Sequence, residues 1–276
     1  MTDAPDVPLI LGGHSFISQL GNDPAVPPDG QVELVRTCLD NGIRWFDTTY
    51  QPERIALGQA LGRLGRRAEA MIFAWNFFVD FQPGQDVGGP AYYQPHHIEL
   101  MLEQLQTDCI DCLVVHAMDS PAENHRQEEL AVLWQQKGYV RRLGVWHPGA
   151  DAAKTFGAGS PYSFMVRPNN ITTADAAPAF AACRQIGWQN FACSPFGRGW
   201  ELDKLVAAAQ RTQPGDELAA RDWLAELMLR YSLFQPNVDR LIVAMRRTDW
   251  VARNVASVAK GPLSAEEMQW LTSLRA

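Results

Sequence analysis

The segment GIRWFDTTYQPERIALGQALGRLG (residues 42–65) places a short, mostly apolar run directly before a helical pattern. Residues 43–47 form that run, which ends on Asp47 and is typical of a strand buried on both faces. From Glu53 onward, the spacing of Ile and Leu favours one face of a helix that ends near Gly65. A strand followed at once by a helix is the repeating unit of a parallel sheet, so this segment predicts a βα fold.

The same unit recurs along the whole chain. The apolar runs that predict strands cover residues 8–13, 43–47, 70–75, 110–116, 140–146, 163–167, 190–194 and 240–245. Helical patterns separate them, and a Ser-x-x-Glu capping box (Ser264, Glu267) predicts a helix at the end. Eight such units in 276 residues predict an α/β protein, a single (β/α)8 TIM barrel, since that fold takes about 250 residues. We expect one domain over residues 1–276, because no linker or low-complexity tract divides the chain.

Composition narrows the class of ligand. The chain is 46% hydrophobic with a net charge of -7 and a pI near 5.4, which argues against a nucleic-acid partner or an anionic membrane surface. No run approaches the roughly 20 apolar residues of a membrane span, and the first residues have no signal-peptide pattern. We therefore expect a cytoplasmic protein that acts on a small molecule. Five cysteines, an odd number, favour reduced thiols over a disulfide framework.

Polar residues follow most of the predicted strands. In a barrel of this kind, the reactive groups lie at the C-terminal ends of the strands. An aspartate, an arginine and three histidines converging there exceed what capping requires, so we expect a functional mouth. The residues at these positions are His14, Asp47, Asn76, His116, His147, Arg167, Cys193 and Ser194.

Several segments together resemble the aldo-keto reductase family. Residues 42–61 are similar to its strand-two segment, in which an Asp is followed by a Tyr and a Leu-Gly helix. The segment LQTDCIDCLVVH, which ends at His116, matches the family's Asp-x-x-Asp-apolar-His pattern. RRLGVWHPG resembles the strand-five stretch, CSPFGRG the strand-seven loop, and SLFQPNVDRLIVAMRRTDWVARNVAS the strand-eight region. These five motifs stand in the family's order and cover nearly the whole chain.

The resemblance implies carbonyl reduction by hydride from NADPH. In the family, an Asp, a Tyr, a Lys and a His surround the reacting carbonyl, and the Lys, held by the Asp, lowers the pKa of the Tyr. Asp47 and His116 match, and Tyr50 follows Asp47 by three positions where the family has five. At the end of strand three, Asn76 is aligned with the Lys, so we expect an atypical tetrad. Without that cation, the tyrosine pKa should stay near about 10 or rise beside Asp47, and ordinary carbonyl reduction should be slow.

The resemblance also implies a cofactor site with altered contacts. Trp146 and His147 replace the family's Ser-Asn pair after strand five, and Cys193 replaces the Tyr that stacks on the nicotinamide. The loop after strand seven offers backbone N–H groups and a guanidinium for a pyrophosphate. It contains Ser194, Phe196, Gly197 and Arg198. Arg246, Arg247 and Asn254 resemble the adenosine 2'-phosphate site, which favours NADPH over NADH.

Three functions stay open at this point. The first is an NADPH-dependent oxidoreductase acting on a specialised carbonyl, with His116 as the acid and Asn76 as a neutral hydrogen-bond donor. The second is a non-redox lyase, isomerase or cyclase that uses Asp47, His116 and His147, with a divalent metal as an option if His14 joins them. The third is a redox-inactive dinucleotide-binding protein. The Gly- and Pro-rich loop over residues 79–94 is expected to cover the site.

Overall fold

Eight parallel strands close into a barrel in their sequence order, each hydrogen-bonded to the next and β8 to β1. The structure, a computed structural model, describes residues 6–18, 26–78, 89–157, 159–173, 176–212 and 215–275. The strands are β1 (Leu9–Leu11), β2 (Trp45–Thr48), β3 (Met71–Trp75), β4 (Ile110–Val115), β5 (Val140–Trp146), β6 (Tyr162–Pro168), β7 (Gln189–Cys193) and β8 (Arg240–Val243). All eight predicted strands and the (β/α)8 TIM barrel are confirmed, with strand ends shifted by only a few residues.

Helices surround the barrel and connect its strands. They are α1 (Pro28–Asp40), α2 (Gln51–Leu64), α3 (His97–Leu105), α4 (Pro121–Gln136), α5 (Ala152–Thr155), α6 (Ala176–Gln185), α7 (Trp200–Thr212), α8 (Glu217–Leu233), α9 (Thr248–Ala259) and α10 (Ala265–Ser273). Gly65 ends α2 in the left-handed region, with φ 64°, as the sequence predicts. The predicted capping box of α10 is confirmed, since the N–H of Glu267 donates to the Ser264 hydroxyl at 3.1 Å.

The barrel interior is filled by large apolar side chains. Phe73, Phe164 and Phe191 are fully buried there and meet edge to face, with centroids 5.2 to 5.5 Å apart. Burial of each such ring contributes roughly 1.5–3 kcal/mol. Gly144 makes room for them, because a Cβ at this position would lie 2.0 Å from the Phe164 ring. The interior is therefore a packed core, and ligand chemistry is confined to its open end.

Three further features concern predictions made from the sequence. Of the predicted covering loop, residues 79–88 lie outside the described residues; in its remainder, the buried Tyr93 hydroxyl donates to the Val114 carbonyl at 2.9 Å. The five cysteines all lie in the described ranges and form no disulfide. Among the helices that the structure describes, none is long and apolar enough to cross a bilayer.

Candidate active site

Asp47 lies at the carboxyl end of β2 and is held by the side chain of Trp75. The indole Nε1–H of Trp75 donates to Asp47 Oδ1 at 2.6 Å, and both residues are nearly fully buried. Because side chains alternate along a strand, Phe73 and Trp75 both point into the barrel, while the position after Trp75 points away from it. The group held by Asp47 is therefore Trp75. Asn76, predicted to align with the family's lysine, lies outside this contact, and its alignment stays a prediction.

Asn76 instead braces the backbone of the next strand's end. Its Nδ2 donates to the His116 carbonyl at 3.1 Å, and its Oδ1 accepts from the His116 N–H at 3.0 Å. Gln127, on α4, donates to the same carbonyl at 3.1 Å. Asn76 is fully buried and both ends of its amide are used inside the protein. The predicted role of Asn76 as a donor to substrate is replaced by a role in positioning His116.

His116 is half-buried and its ring is oriented by its own chain. Its Nδ1 lies 2.9 Å from the Ala117 carbonyl, and because a carbonyl oxygen only accepts, Nδ1 carries a proton. Burial lowers the pKa of His116 below its usual value, although the hydrogen bond to Ala117 opposes this. In the neutral ring, Nε2 is then an acceptor facing the mouth. Its ring is stacked on Trp146, with centroids 5.9 Å apart.

Tyr50 precedes α2 and its side chain is buried beside a carboxylate. Burial, together with the negative charge of Glu53, raises the pKa of Tyr50 to about 12, while Arg198 opposes the shift. The upward direction agrees with the sequence expectation, but the responsible anion is Glu53 rather than Asp47. The Tyr50 ring stacks on His14 at 5.7 Å and meets Phe77 edge to face at 5.3 Å. Tyr50 is therefore a weaker acid than an ordinary tyrosine.

Sequence reasoning missed Glu53, which lies at the centre of the site. Its side chain is fully buried, and Oε2 accepts from the backbone N–H of Thr49 at 2.6 Å and of Tyr50 at 3.2 Å. Oε1 lies 2.8 Å from Nδ1 of His14, which follows β1. A Cβ on Gly13 would lie 2.2 Å from Oε2, so a glycine is needed beside this carboxylate. The signal in the sequence was a Glu in the first turn of a helix, which is ordinary for any helix.

The charged side chains around Glu53 shift the pKa values of His14 and Asp47. Burial alone would lower the pKa of His14, but the adjacent Glu53 carboxylate, with Asp47 nearby, raises it above the usual value. Burial and the negative charge of Glu53 raise the pKa of Asp47 to about 7, against the opposing hydrogen bond from Trp75. The raised pKa favours the protonated form of His14, with Nδ1 directed at Glu53. The cluster thus combines one imidazole with two carboxyl groups.

Aromatic side chains form the wall of the mouth around these groups. Trp146 meets Trp75 edge to face at 5.3 Å, and Phe77 meets His116 at 6.1 Å. Cys193 is buried in the same interior cluster, and burial raises the pKa of its thiol to about 12. Two predicted cofactor residues, Trp146 and Cys193, therefore lie next to the predicted catalytic residues.

His147 follows Trp146 but takes a different direction. Its backbone is in the left-handed region, with φ 52°, and its side chain is exposed. Its N–H donates to the Val166 carbonyl at 2.8 Å, which continues the β5–β6 ladder by one step. The three predicted histidines therefore differ in position: His14 and His116 are half-buried at the mouth, and His147 is exposed outside them.

The loop after β7 is a tight turn that leads directly into a helix. Gly197, Arg198 and Gly199 are consecutive left-handed residues, with φ 52°, 61° and 91°, and α7 begins at the next residue. The N–H groups of Gly197 and Gly199 donate to the Ser194 and Phe196 carbonyls at 3.1 and 2.9 Å, so an anion here would meet the Arg198 guanidinium and the positive dipole of the α7 N-terminus. Asn170 braces the start of the loop, since its Nδ2 donates to the Ser194 carbonyl at 3.1 Å. Phe196 packs into the core and anchors the turn.

The residues predicted to bind the 2'-phosphate lie at the start of α9. Arg246 donates to the Ile17 carbonyl at 2.6 Å. Arg247 donates to both carboxylate oxygens of Asp249, at 2.8 and 3.1 Å, and this lowers the pKa of Asp249. Asn254 lies on α9, half-buried. A phosphate placed here would meet Arg247 but also the Asp249 carboxylate.

The metal-binding form of the second hypothesis finds no support in the arrangement of side chains. Over the described ranges, no three His, Cys, Asp or Glu side chains converge as a metal ion requires. His14, Asp47, His116 and His147 border one mouth without meeting at a point.

Comparison with known proteins agrees with this geometry. The model of the aldo/keto reductase family matches residues 8–276. The protein called Probable aldo-keto reductase 1, from Glycine max, is 26% identical over 220 residues, which covers 72% of this chain and 62% of the relative. Aldo-keto reductase YhdN from Bacillus subtilis (strain 168) is 28% identical over 146 residues, which covers 51% of this chain and 44% of the relative. The chain thus matches less than two thirds of the length of either relative.

A solved structure shows the same fold. The holo form of aldo-keto reductase AKR11C1 from Bacillus halodurans superposes with a TM-score of 0.72 at 21% identity, and the match covers 97% of this chain and 91% of that chain. At this identity the likeness concerns the barrel alone. The family model, in contrast, spans nearly all of the sequence. The chain belongs to the aldo/keto reductase family.

Proposed function

We propose that this protein is an NADPH-dependent oxidoreductase that reduces a specialised carbonyl compound with an atypical tetrad. Membership of a family of oxidoreductases supports this proposal. The observation that carries it is the Asp47–Trp75 hydrogen bond, which keeps the family's aspartate in place while a neutral indole takes the position of the cation. Tyr50 and His116 border the same mouth. The five unpaired cysteines suit a cytoplasmic enzyme.

The chain's own residues fit a dinucleotide at its phosphate end. In the loop from Ser194 to Gly199, the Arg198 guanidinium together with the α7 N-terminus would hold a pyrophosphate. Arg246 and Arg247, with Asn254, would hold the 2'-phosphate that distinguishes NADPH from NADH. Trp146 and Cys193 would border the nicotinamide. When bound, NADPH would supply a hydride to the carbonyl carbon.

The aromatic side chains that line the mouth indicate what kind of substrate it would bind. Trp146 and Phe77, both half-buried, present aromatic surface beside a buried acidic group, and Trp75 supports Trp146 from behind. Flat apolar substrates gain the most from such a wall, because stacked rings contribute roughly 0.5–1.5 kcal/mol beyond simple burial. We therefore propose a carbonyl attached to a flat, apolar group as the substrate. A small polar aldehyde would leave the wall unused.

One observation favours a second candidate. His14, Glu53 and Asp47 form an acid–base cluster that would also serve a lyase or isomerase without any redox step. A redox-inactive dinucleotide-binding protein would keep the phosphate-binding loops and use none of this cluster. The three candidates differ in what they predict for NADPH and for turnover.

Titration of the purified protein with NADPH separates these candidates. Quenching of tryptophan fluorescence and energy transfer to the nicotinamide report binding, with NADH as the control. We expect saturable binding of NADPH that is tighter than that of NADH, followed by oxidation of NADPH in a screen of aryl aldehydes and ketones. Binding without any turnover would favour the redox-inactive protein. Failure to bind either nucleotide would contradict the proposed function and favour the non-redox enzyme.

A further inference from the structure

Tyr50, the proton donor that the family resemblance implies, is a weakened acid in its surroundings. It is buried beside the Glu53 carboxylate, which with burial raises its pKa to about 12. The neutral ring of His116 directs its one N–H into the Ala117 carbonyl, which leaves Nε2 as an acceptor. Asp47 is only 5% exposed and Trp75 holds its Oδ1. A carbonyl reduction in this mouth therefore gains from a stronger and better exposed acid as the source of the alcohol's proton.

His14 differs from Tyr50, His116 and Asp47 because its ring is held on one side and partly exposed on the other. It follows β1 at the mouth, and 36% of its side chain is exposed. Its Nδ1 is fixed on Oε1 of Glu53 at 2.8 Å, and Glu53 is itself fixed by two backbone N–H groups. Tyr50 supports the imidazole on one face by stacking at 5.7 Å. Among the described residues Nε2 of His14 has no hydrogen-bond partner, so this nitrogen is available to a ligand at the mouth.

We infer that the His14–Glu53 pair is the proton donor of the site, with His14 as the catalytic acid and Glu53 as its positioning residue. This inference rests on the proposed function. The pairing resembles the general arrangement in which a buried carboxylate orients an imidazole and stabilises its charged form. Neither residue matches the tetrad positions that the sequence pattern identified.

The proton transfer breaks one N–H bond of His14 and forms the O–H bond of the alcohol. As the carbonyl carbon accepts a hydride from the nicotinamide, its C=O electron pair moves onto oxygen. The Nε2–H bond of the His14 imidazolium breaks, and the proton joins that oxygen to form the hydroxyl of the alcohol. The neutral imidazole keeps its Nδ1–H on Glu53 and takes a proton from solvent before the next cycle.

The charged groups around His14 set the direction of the pH effect. Glu53 on α2 and Asp47 on β2 favour the imidazolium, whereas Arg198 in the loop after β7 and burial oppose it. The net result is a raised pKa, which favours the acid form of His14. Turnover should therefore be high at low pH and fall as the pH rises through the pKa of His14.

The first test is an NMR titration of the histidine ring nitrogens in the wild-type protein, with and without NADP⁺. We expect His14 to be doubly protonated at pH 7 and Glu53→Gln to lower its pKa. His125 on α4, whose Nε2 lies 3.4 Å from Glu129 on the exposed surface, gives the matched control pair. Glu129→Gln should leave the His14 titration unchanged. A neutral His14 at pH 7 in both states would overturn the inference.

The second test is kinetic and uses a carbonyl that the wild-type protein reduces. We expect His14→Gln, which can keep the hydrogen bond to Glu53, to lower kcat by roughly 100-fold or more and to abolish the fall at high pH. KM and NADPH binding should change little, and His125→Gln should behave as wild type. His14→Asn serves if the first variant folds poorly. Turnover that survives both substitutions overturns the donor role alone, whereas a wild-type protein that reduces no carbonyl overturns the proposed function and this role together.

Discussion

The indole nitrogen of Trp75 lies 2.6 Å from Oδ1 of Asp47, so a neutral N–H group occupies the place beside the aspartate. A neutral donor binds a carboxylate without adding positive charge to the site. Nothing at this position then lowers the pKa of the buried tyrosine, and the pKa of Asp47 itself is about 7. The raised pKa values of Asp47 and Tyr50 follow from burial and the Glu53 carboxylate, and the neutral indole on β3 adds no positive charge to offset them.

Lysine introduced at two adjacent positions distinguishes the two alignments of β3. Trp75→Lys should place an ammonium on Asp47, lower the pKa of that carboxyl and raise the reduction of simple aldehydes. Asn76→Lys should instead break both hydrogen bonds to His116 and bury an unpaired charge, which costs roughly 3 kcal/mol or more. Aldehyde reduction and urea unfolding of both variants measure this. A gain of aldehyde reduction in Asn76→Lys, with stability kept, would contradict the assignment of Trp75.

Asp47 should make the protein less stable as the pH rises. The folded pKa is about 7, compared with 3.8 as the ordinary value, so the folded state retains a proton that the unfolded chain loses. Its stabilising contribution is complete below about pH 4 and is lost as the pH rises through 7. At 1.36 kcal/mol per pKa unit, wild type should lose up to roughly 4 kcal/mol relative to Asp47→Asn over this window.

The measurement is the difference in unfolding free energy between wild type and Asp47→Asn at pH 5, 6, 7 and 8. A difference is needed because His97, whose burial lowers its pKa to about 4, contributes in the opposite direction. Asp108→Asn, at an exposed position, is the control and should give a flat difference. A flat difference for Asp47→Asn as well would show that this carboxyl is ionised in the ordinary way.

The barrel could be predicted from sequence because each strand is buried on both faces. The stretch 112–115 of β4, for example, is fully buried in the structure and continuously apolar in sequence, and that pattern is visible without any partner. Asp47 and His116 were identifiable for a similar reason, since each directly follows such a run. Strand ends are local features that the chain specifies itself.

Two features of the site could not be predicted in this way: which residue of β3 faces Asp47, and which charged residues of α2 are buried beside the site. Asn76 and Trp75 are adjacent in sequence, and only the pleat shows which of them faces Asp47. Glu53 and Arg54, in the first turn of α2, look like solvent-exposed charges, yet both are fully buried. Arg54 donates to the Thr49 carbonyl at 2.9 Å and to the Phe77 carbonyl at 3.2 Å, and so ties two mouth loops together. Such contacts depend on segments that are distant in sequence.

The preference for NADPH should depend on Arg247 and Asp249 in opposite ways. Arg247→Ala removes the guanidinium and should raise the Kd for NADPH about tenfold, equivalent to about 1.4 kcal/mol, while the Kd for NADH stays nearly constant. Asp249→Asn removes a carboxylate that competes for Arg247 and should lower the Kd for NADPH. Fluorescence titrations with both nucleotides measure these constants. Arg126→Ala, which breaks an ion pair with Glu123 on α4, is the control. Equal changes for both nucleotides would place the 2'-phosphate elsewhere.

Gly13 should control the pairing of His14 with Glu53. A Cβ at this position would lie 2.2 Å from Oε2 of Glu53 and 2.8 Å from the Asp47 carbonyl oxygen, so Gly13→Ala must displace the carboxylate or the backbone. We expect a loss of roughly 1–3 kcal/mol in unfolding free energy from this overpacking. As Glu53 withdraws, the raised pKa of His14 should fall. NMR titration of His14 and thermal melting follow the two effects, with Gly215→Ala as the control because open space surrounds that glycine. A Gly13→Ala protein that melts at a lower temperature but keeps the raised pKa of His14 would contradict this prediction. It would show that the added methyl group is accommodated without separating Glu53 from His14.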